Sequence, residues 1–182
     1  LERPSNGLIA LSGCLAGRVS RALSENRDRD AQADLDRLVQ IFGRDSTYVE
    51  IQNAGLEEQQ LLNPKLVAPA EQSSLPLIAT GDVHYLAAED AYAHEALLCL
   101  QSGDTLKNPS HWRFDTNEYF FKSPEEMAAD FPGLEHAMAR TLEVAERCSV
   151  ELELGRILLP NFPVPEGRDA FDYLVKLCEK GL

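Results

Sequence analysis

No apolar run in this sequence approaches the ~20 residues that a membrane-spanning helix needs. No basic, apolar, small-residue leader opens it either, so the expected location is cytoplasmic, with no membrane partner. Positive charge is scarce. Seventeen Lys and Arg stand against 30 Asp and Glu, for a net charge of −13. A main nucleic-acid track carries a basic stripe, so this piece is excluded as one. A site acting on a phosphoester stays open, because a bound divalent ion inverts the local field. There are four cysteines, Cys14, Cys99, Cys148 and Cys178, and no Cys-x-x-Cys pair, which argues against a zinc knuckle and for free thiols in a reducing compartment. No His-x-His occurs anywhere. The chain opens on Leu1 rather than Met and stops at Gly181-Leu182 after a helical stretch, so it reads as a piece of a longer protein.

What is present is the composition of a globular domain: 182 residues, 44% hydrophobic and 26% charged. That length allows one domain with a real core and a small appendage. The organising stretch is Leu75-Pro-Leu-Ile-Ala-Thr-Gly-Asp-Val-His-Tyr85. Its short apolar run, partly β-branched and opened by proline, reads as a buried parallel strand. Asp82 and His84 follow two residues apart. In extended backbone such a pair points to one side, about 6.5–7 Å apart, and can face one metal ion or one phosphate. The bland alternative is an Asp that caps the next helix and a His that packs.

Leu8 to Ser12 reads as another strand, followed by a tight turn at Gly13-Cys14-Leu-Ala-Gly17 and a helix from Arg18 to Glu25. A longer helix spans roughly Arg29 to Phe42, with Leu35, Leu38, Val39 and Phe42 on one face and Gly43 as its stop. Thr47 to Gln52 is a β-branched and aromatic strand. The helical stretch from Leu56 to about Glu71 contains Pro64 and Pro69, so it is expected to be broken or kinked. Another helix runs from about Ala87 to Gln101. The order β-α-β-α-β-α implies an α/β fold with parallel strands and helices outside. Chemistry in such folds collects where strands end. Cys14 lies there on the first strand, Glu50 and Gln52 on the second, Asp82 and His84 on the third. Thiolate, carboxylate and imidazole on one rim make a divalent-metal set. Alone, Cys14 also reads as a small buried residue and Glu50 as a strand-end carboxylate holding a loop.

Residues 102–122 are irregular and gather Trp112, Phe114, Tyr119, Phe120 and Phe121. Base stacking is open to them, but without interleaved basic residues they read as a hydrophobic lid. His94 reads as a packed or hydrogen-bonded histidine, and His111 and His136 as surface residues. Ser123-Pro-Glu-Glu126 starts a helix with serine as N-cap and glutamate at N3. After Pro132-Gly133 a second helix reaches Cys148, with Ala137, Thr141, Val144, Ala145 and Cys148 on one face. Pro160, Pro163 and Pro165 then mark an extended connector, and Asp169 caps an amphipathic helix from Ala170 to Lys180.

Leu11-Ser-Gly-Cys-Leu-Ala-Gly17, Ala79-Thr-Gly-Asp-Val-His-Tyr85, His94 with Leu97-Leu-Cys-Leu-Gln101, Lys122-Ser-Pro-Glu-Glu-Met127, Ala145-Glu-Arg-Cys148 and Leu159-Pro-Asn-Phe-Pro163 occur in this order. Together they resemble the bacterial DNA polymerase III alpha subunit family, over nearly the whole chain. The resemblance implies residues 1–155 as the C-terminal portion of a PHP (polymerase and histidinol phosphatase) domain, part of a distorted seven-stranded β/α barrel. It implies 156–168 as a proline-rich connector and 169–182 as the first helix of the polymerase domain. It implies Cys14, Asp82 and His84 as metal ligands, Zn or Mn being the expected ion, with Glu50, Gln52 and His94 as supporting residues. Further His and Glu ligands are expected upstream of Leu1. Arg18 stands where glutamate is usual, and Ala54 where the loop often carries a histidine.

For the parent protein the resemblance implies DNA-templated DNA synthesis with Mg, DNA and deoxynucleoside triphosphates, on carboxylates downstream of Leu182. An exonuclease subunit and a sliding clamp are its expected partners. For the PHP region it leaves open a 3′-5′ exonuclease or phosphoesterase, a silent scaffold that docks an exonuclease subunit, and a free-standing metal phosphatase. An error-prone paralogue stays open beside the replicative enzyme.

Overall fold

The computed structural model describes residues 5–181 except 158, 161, 166 and 168. Those four positions, which fall in the expected connector and in the 159–163 motif, lie outside the described residues, as do 1–4 and 182. The chain divides into two compact units, one ending at Cys148 and the other starting at Ser149.

The first unit is built on three parallel strands in the order β1-β2-β3: Ala10–Leu11, Thr47–Gln52 and Leu77–Thr80. The central strand is buried at every position but Glu50, as a strand covered on both faces must be. Helices Arg18–Ser24 (α1), Asp28–Phe42 (α2) and Glu57–Gln72 (α3) connect the strands, and α3 packs on β2. Val19, Leu23, Leu35, Leu62, Leu66, Val49 and Ile51 form the core between them. Gly43 ends α2 with φ 84°, its N–H donating to the Val39 carbonyl at 2.8 Å. Among the described residues the sheet has three strands, an α/β arrangement with parallel pairing.

The prolines of α3 do not break it. One helix of 16 residues contains both Pro64 and Pro69. A proline removes the hydrogen bond to the carbonyl four residues earlier, at Gln60 and Lys65, and both of those residues face solvent. The opposite face, Gln59, Leu62, Leu66 and Ala70, is buried and holds the helix in place.

Beyond β3 a short 3-10 turn at Ala88–Asp90 leads into Ala91–Ser102 (α4). Pro124–Asp130 (α5) begins with the expected capping box: Ser123 Oγ accepts from Glu126 N–H at 3.2 Å, and Glu126 Oε2 accepts from Ser123 N–H at 2.7 Å. Glu135–Arg147 (α6) packs on β3 through Ala137 and Met138. The face expected from the sequence is only partly covered, since Thr141, Ala145 and Cys148 are exposed. What ties the end of α6 to the sheet is polar. The Tyr48 hydroxyl donates to Glu143 Oε1 at 2.9 Å and accepts from Arg147 Nη1 at 2.6 Å.

In the second unit, Ala170–Gly181 (α7) is capped by Asp169, whose Oδ2 accepts from Phe171 N–H at 2.9 Å. Phe171 and Leu174 on its apolar face are exposed within this unit, and Phe162 stacks on Tyr173 with centroids 6.3 Å apart.

Leu35 is fully buried at the α1–α2–sheet junction, so Leu35→Ala is expected to cost about 2–5 kcal/mol in urea unfolding. Ser123→Ala is expected to cost only about 1 kcal/mol, because its cap is exposed.

Candidate metal centre

The parallel ladder brings the carboxyl ends of β1, β2 and β3 to one rim. At that rim Ser12 Oγ accepts from the Glu50 backbone N–H at 2.9 Å, which pins the turn after β1 to the central strand. Glu50 Oε1 accepts from Thr80 Oγ1 at 2.6 Å and from Gln52 Nε2 at 3.2 Å, while Gln52 Nε2 also reaches Thr80 Oγ1 at 3.1 Å. Glu50 and Gln52 are therefore the side-chain clasp between β2 and β3. Gln52 Oε1 and Ser20 Oγ are buried oxygens without a hydrogen-bond partner, and both residues line a small cavity that Cys14 and Glu50 also line. Unpaired oxygens in such a place are receptive to a water or an ion. Gly17 closes the turn that carries Cys14. A Cβ there would lie 2.7 Å from the Ser12 carbonyl oxygen and 2.9 Å from that of Cys14.

Asp82 and His84 are not presented as strand neighbours. β3 ends at Thr80, and Asp82 sits in the left-handed region with φ 49°. A carbonyl oxygen, not the carboxylate, then faces the histidine: Asp82 O is 2.7 Å from His84 Nδ1. Since a carbonyl can only accept, Nδ1 carries the proton. Among the described residues Nε2 has no hydrogen-bond partner, the orientation in which an imidazole ligates a metal. The segment is fixed from the other side by the 119–121 stretch. His84 N–H donates to the Tyr119 carbonyl at 2.8 Å, and Tyr85 bridges to Phe120.

Tyr119 packs beside His84. Its ring lies 5.3 Å from that of His84. Burial pushes its hydroxyl above the ordinary tyrosine range, and the ionisable groups of Asp82, Asp115, Tyr85 and Cys14 push it further the same way. The Cys14 thiol is exposed. Among the described residues, however, no three His, Cys, Asp or Glu side chains are gathered as a set that could hold a metal ion. The donor types and the free Nε2 fit a divalent ion as an incomplete set.

His94 packs as expected, 5.6 Å from His84 and 5.1 Å from Phe114. Burial first and His84 second hold its pKa below the ordinary value. His111 does not lie on the surface. It is buried, with Nδ1 2.5 Å from the Asn108 carbonyl and Nε2 2.5 Å from Glu95 Oε1. Both contacts favour the protonated ring, and those hydrogen bonds raise its pKa against the opposing effect of burial. Lys122 enters the sequence reading only within a motif, without its ion pairs. Its ammonium is buried between Asp130 at 2.6 Å and Glu118 at 2.9 Å. The signal was there in Glu118 at i−4, but a lysine in an irregular segment reads as solvated. Of the aromatics, Phe114 and Tyr119 close over His84, whereas Trp112 and Phe121 stay exposed, so the lid is half of what the sequence suggested. Arg18 pairs with Asp34 at 2.9 Å, and Ala54 is fully buried.

A histidine with a raised folded pKa stabilises fully below its ordinary value of 6.5 and loses that contribution as pH rises through the raised value. Thermal melts from pH 6 to 9 are expected to show a decline that His111→Gln flattens.

A family model described as PHP domain matches residues 1–54. Curated proteins are similar over far more of the chain. DNA polymerase III subunit alpha of Thermus aquaticus is 42% identical over 188 residues, covering 100% of this chain and 15% of that protein. The Deinococcus radiodurans protein of that name is 38% identical, covering 96% of this chain and 13% of its own length. That of Pseudomonas aeruginosa is 36% identical, covering 100% and 15%. The chain spans about 15% of the length of the relatives it matches. With a PHP match at its start and this likeness carried through to its last helix, the chain belongs to the DNA polymerase III alpha subunit family.

Proposed function

We propose that this segment supplies one side of the metal-binding barrel of a DNA polymerase III alpha subunit, and that the barrel removes nucleotides from the 3′ end of DNA. The observation that supports this reading is His84, tied at Nδ1 by the Asp82 carbonyl and free at Nε2. His84 Nε2, the Asp82 carboxylate and the Cys14 thiolate would hold the ion, Zn or Mn by donor type, and ligands outside this segment would complete the shell. A divalent ion so held lowers the pKa of a bound water and polarises a phosphoryl oxygen. This chain's part is to fix the ligands. Glu50 and Gln52 clasp β2 to β3 beneath the rim. Tyr119, held protonated, adds no further negative charge beside Asp82 and Cys14. DNA synthesis itself, with Mg, deoxynucleoside triphosphates and the wider replicase, belongs to the rest of the subunit.

A scaffold reading is favoured by a separate observation. The outer face of α6 leaves Leu142 exposed above an open apolar groove lined by Phe121, Met127 and Met138. In that reading the barrel stabilises the polymerase body and docks a separate exonuclease subunit, with metal as a staple.

Elemental analysis of the longer subunit that carries this segment, beside its Asp82→Asn variant, separates the two. The expected result is bound divalent metal, lost in the variant together with trimming of a 3′-labelled single strand and a lower melting temperature. A label left intact by a metal-free wild type would leave the scaffold reading in place.

A further inference from the structure

His84 forms part of the wall of a second space, distinct from the small cavity that Cys14 lines. A cavity of about 520 Å³ lies between α4 and the loop after it, lined by His84, His94, Gln101, Ser102, Trp112 and Phe114. Its size is that of a small-molecule site. Trp112 is 57% exposed and meets Phe114 edge-on, with centroids 5.3 Å apart. A tryptophan left so open beside a cavity is an unused stacking face. Among the described residues the Gln101 side chain has no hydrogen bond, and neither nitrogen of His94 has a hydrogen-bond partner. Ser102 Oγ donates within its helix to the Leu98 carbonyl at 2.9 Å, which leaves its lone pairs free to accept. The lining therefore pairs aromatic faces with an amide, a hydroxyl and an imidazole.

We propose that this cavity receives the terminal base of a single DNA strand, stacked on Trp112 with its polar edge toward Gln101 and His94. The inference rests on the reading of His84 as part of a phosphodiester site. It adds how a substrate would be held by a chain whose net charge of −13 repels phosphate. Stacking needs no basic track, since every base offers a π-face. A base seated there would bring its own phosphate to the same histidine that lines the wall. Arg113, next to Trp112 in sequence, pairs with Glu95 at 3.9 Å.

The test titrates the longer subunit that carries this segment, beside its Trp112→Leu variant, with hexathymidylate, with thymidine monophosphate and with an abasic hexamer of equal phosphate number, and takes the fluorescence difference between the two proteins as the Trp112 signal. Saturable quenching by the two base-bearing probes, and none by the abasic strand, is expected. Labelled hexathymidylate followed by anisotropy is expected to bind Trp112→Leu about tenfold more weakly, the order of one lost base stack. Gln101→Ala, on an exposed helix position that leaves the fold intact, is expected to weaken it severalfold. Equal quenching by the abasic strand, or none by any probe, overturns the proposal. Quenching without bound metal in the full subunit supports it while removing the hydrolytic reading. Trimming of a 3′ end without quenching overturns this proposal alone.

Discussion

The rim depends on a single carboxylate at the centre of the sheet. Glu50 Oε1 accepts from Thr80 Oγ1 at 2.6 Å and from Gln52 at 3.2 Å, while its backbone N–H is held by Ser12 Oγ. One residue therefore fixes the exits of all three strands. Backbone pairing alone would align them, but β1 is only two residues long and its ladder is correspondingly weak. The side-chain clasp offsets that shortness. Cys14, Asp82 and His84 each lie within a few residues of a group that Glu50 or its neighbours hold.

The regular elements were legible because their signals are local. Thr47–Gln52 is a strand residue for residue, and Ser123 and Asp169 cap as their positions dictate. The reading failed where tertiary burial outweighed local preference or where backbone left the regular regions. Pro64 and Pro69 sit inside one helix because their orphaned carbonyls face water. His111 is buried by a loop whose path no periodicity describes. At the candidate site the local geometry was not legible. Asp82 and His84 were expected side by side on a strand, but a left-handed residue turns the pair so that a carbonyl, not a carboxylate, meets the ring. The ion pairs of Lys122 were missed because a buried ammonium announces itself only through Glu118 and Asp130.

Two features that looked independent converge on His84. The aromatic segment after α4 packs Phe114 and Tyr119 against its ring, with centroids at 4.9 and 5.3 Å. The buried His111–Glu95 pair holds the loop from which Phe114 projects. The rim thus places the histidine, and the loop sets what surrounds it. An acidic chain thus surrounds this histidine with aromatic faces rather than positive charge.

Gly17 leaves a different kind of trace. With carbonyl oxygens at 2.7 and 2.9 Å from where its Cβ would be, the position has no side chain it can try, not even a methyl group. Every amino-acid replacement at this codon therefore moves the Cys14 turn. In an evolving lineage the turn has no gradual route to a new shape, only abandonment together with the thiol it carries. A lineage that lost this site would be expected to show the scar first at residue 17, before the rest of the fold had drifted.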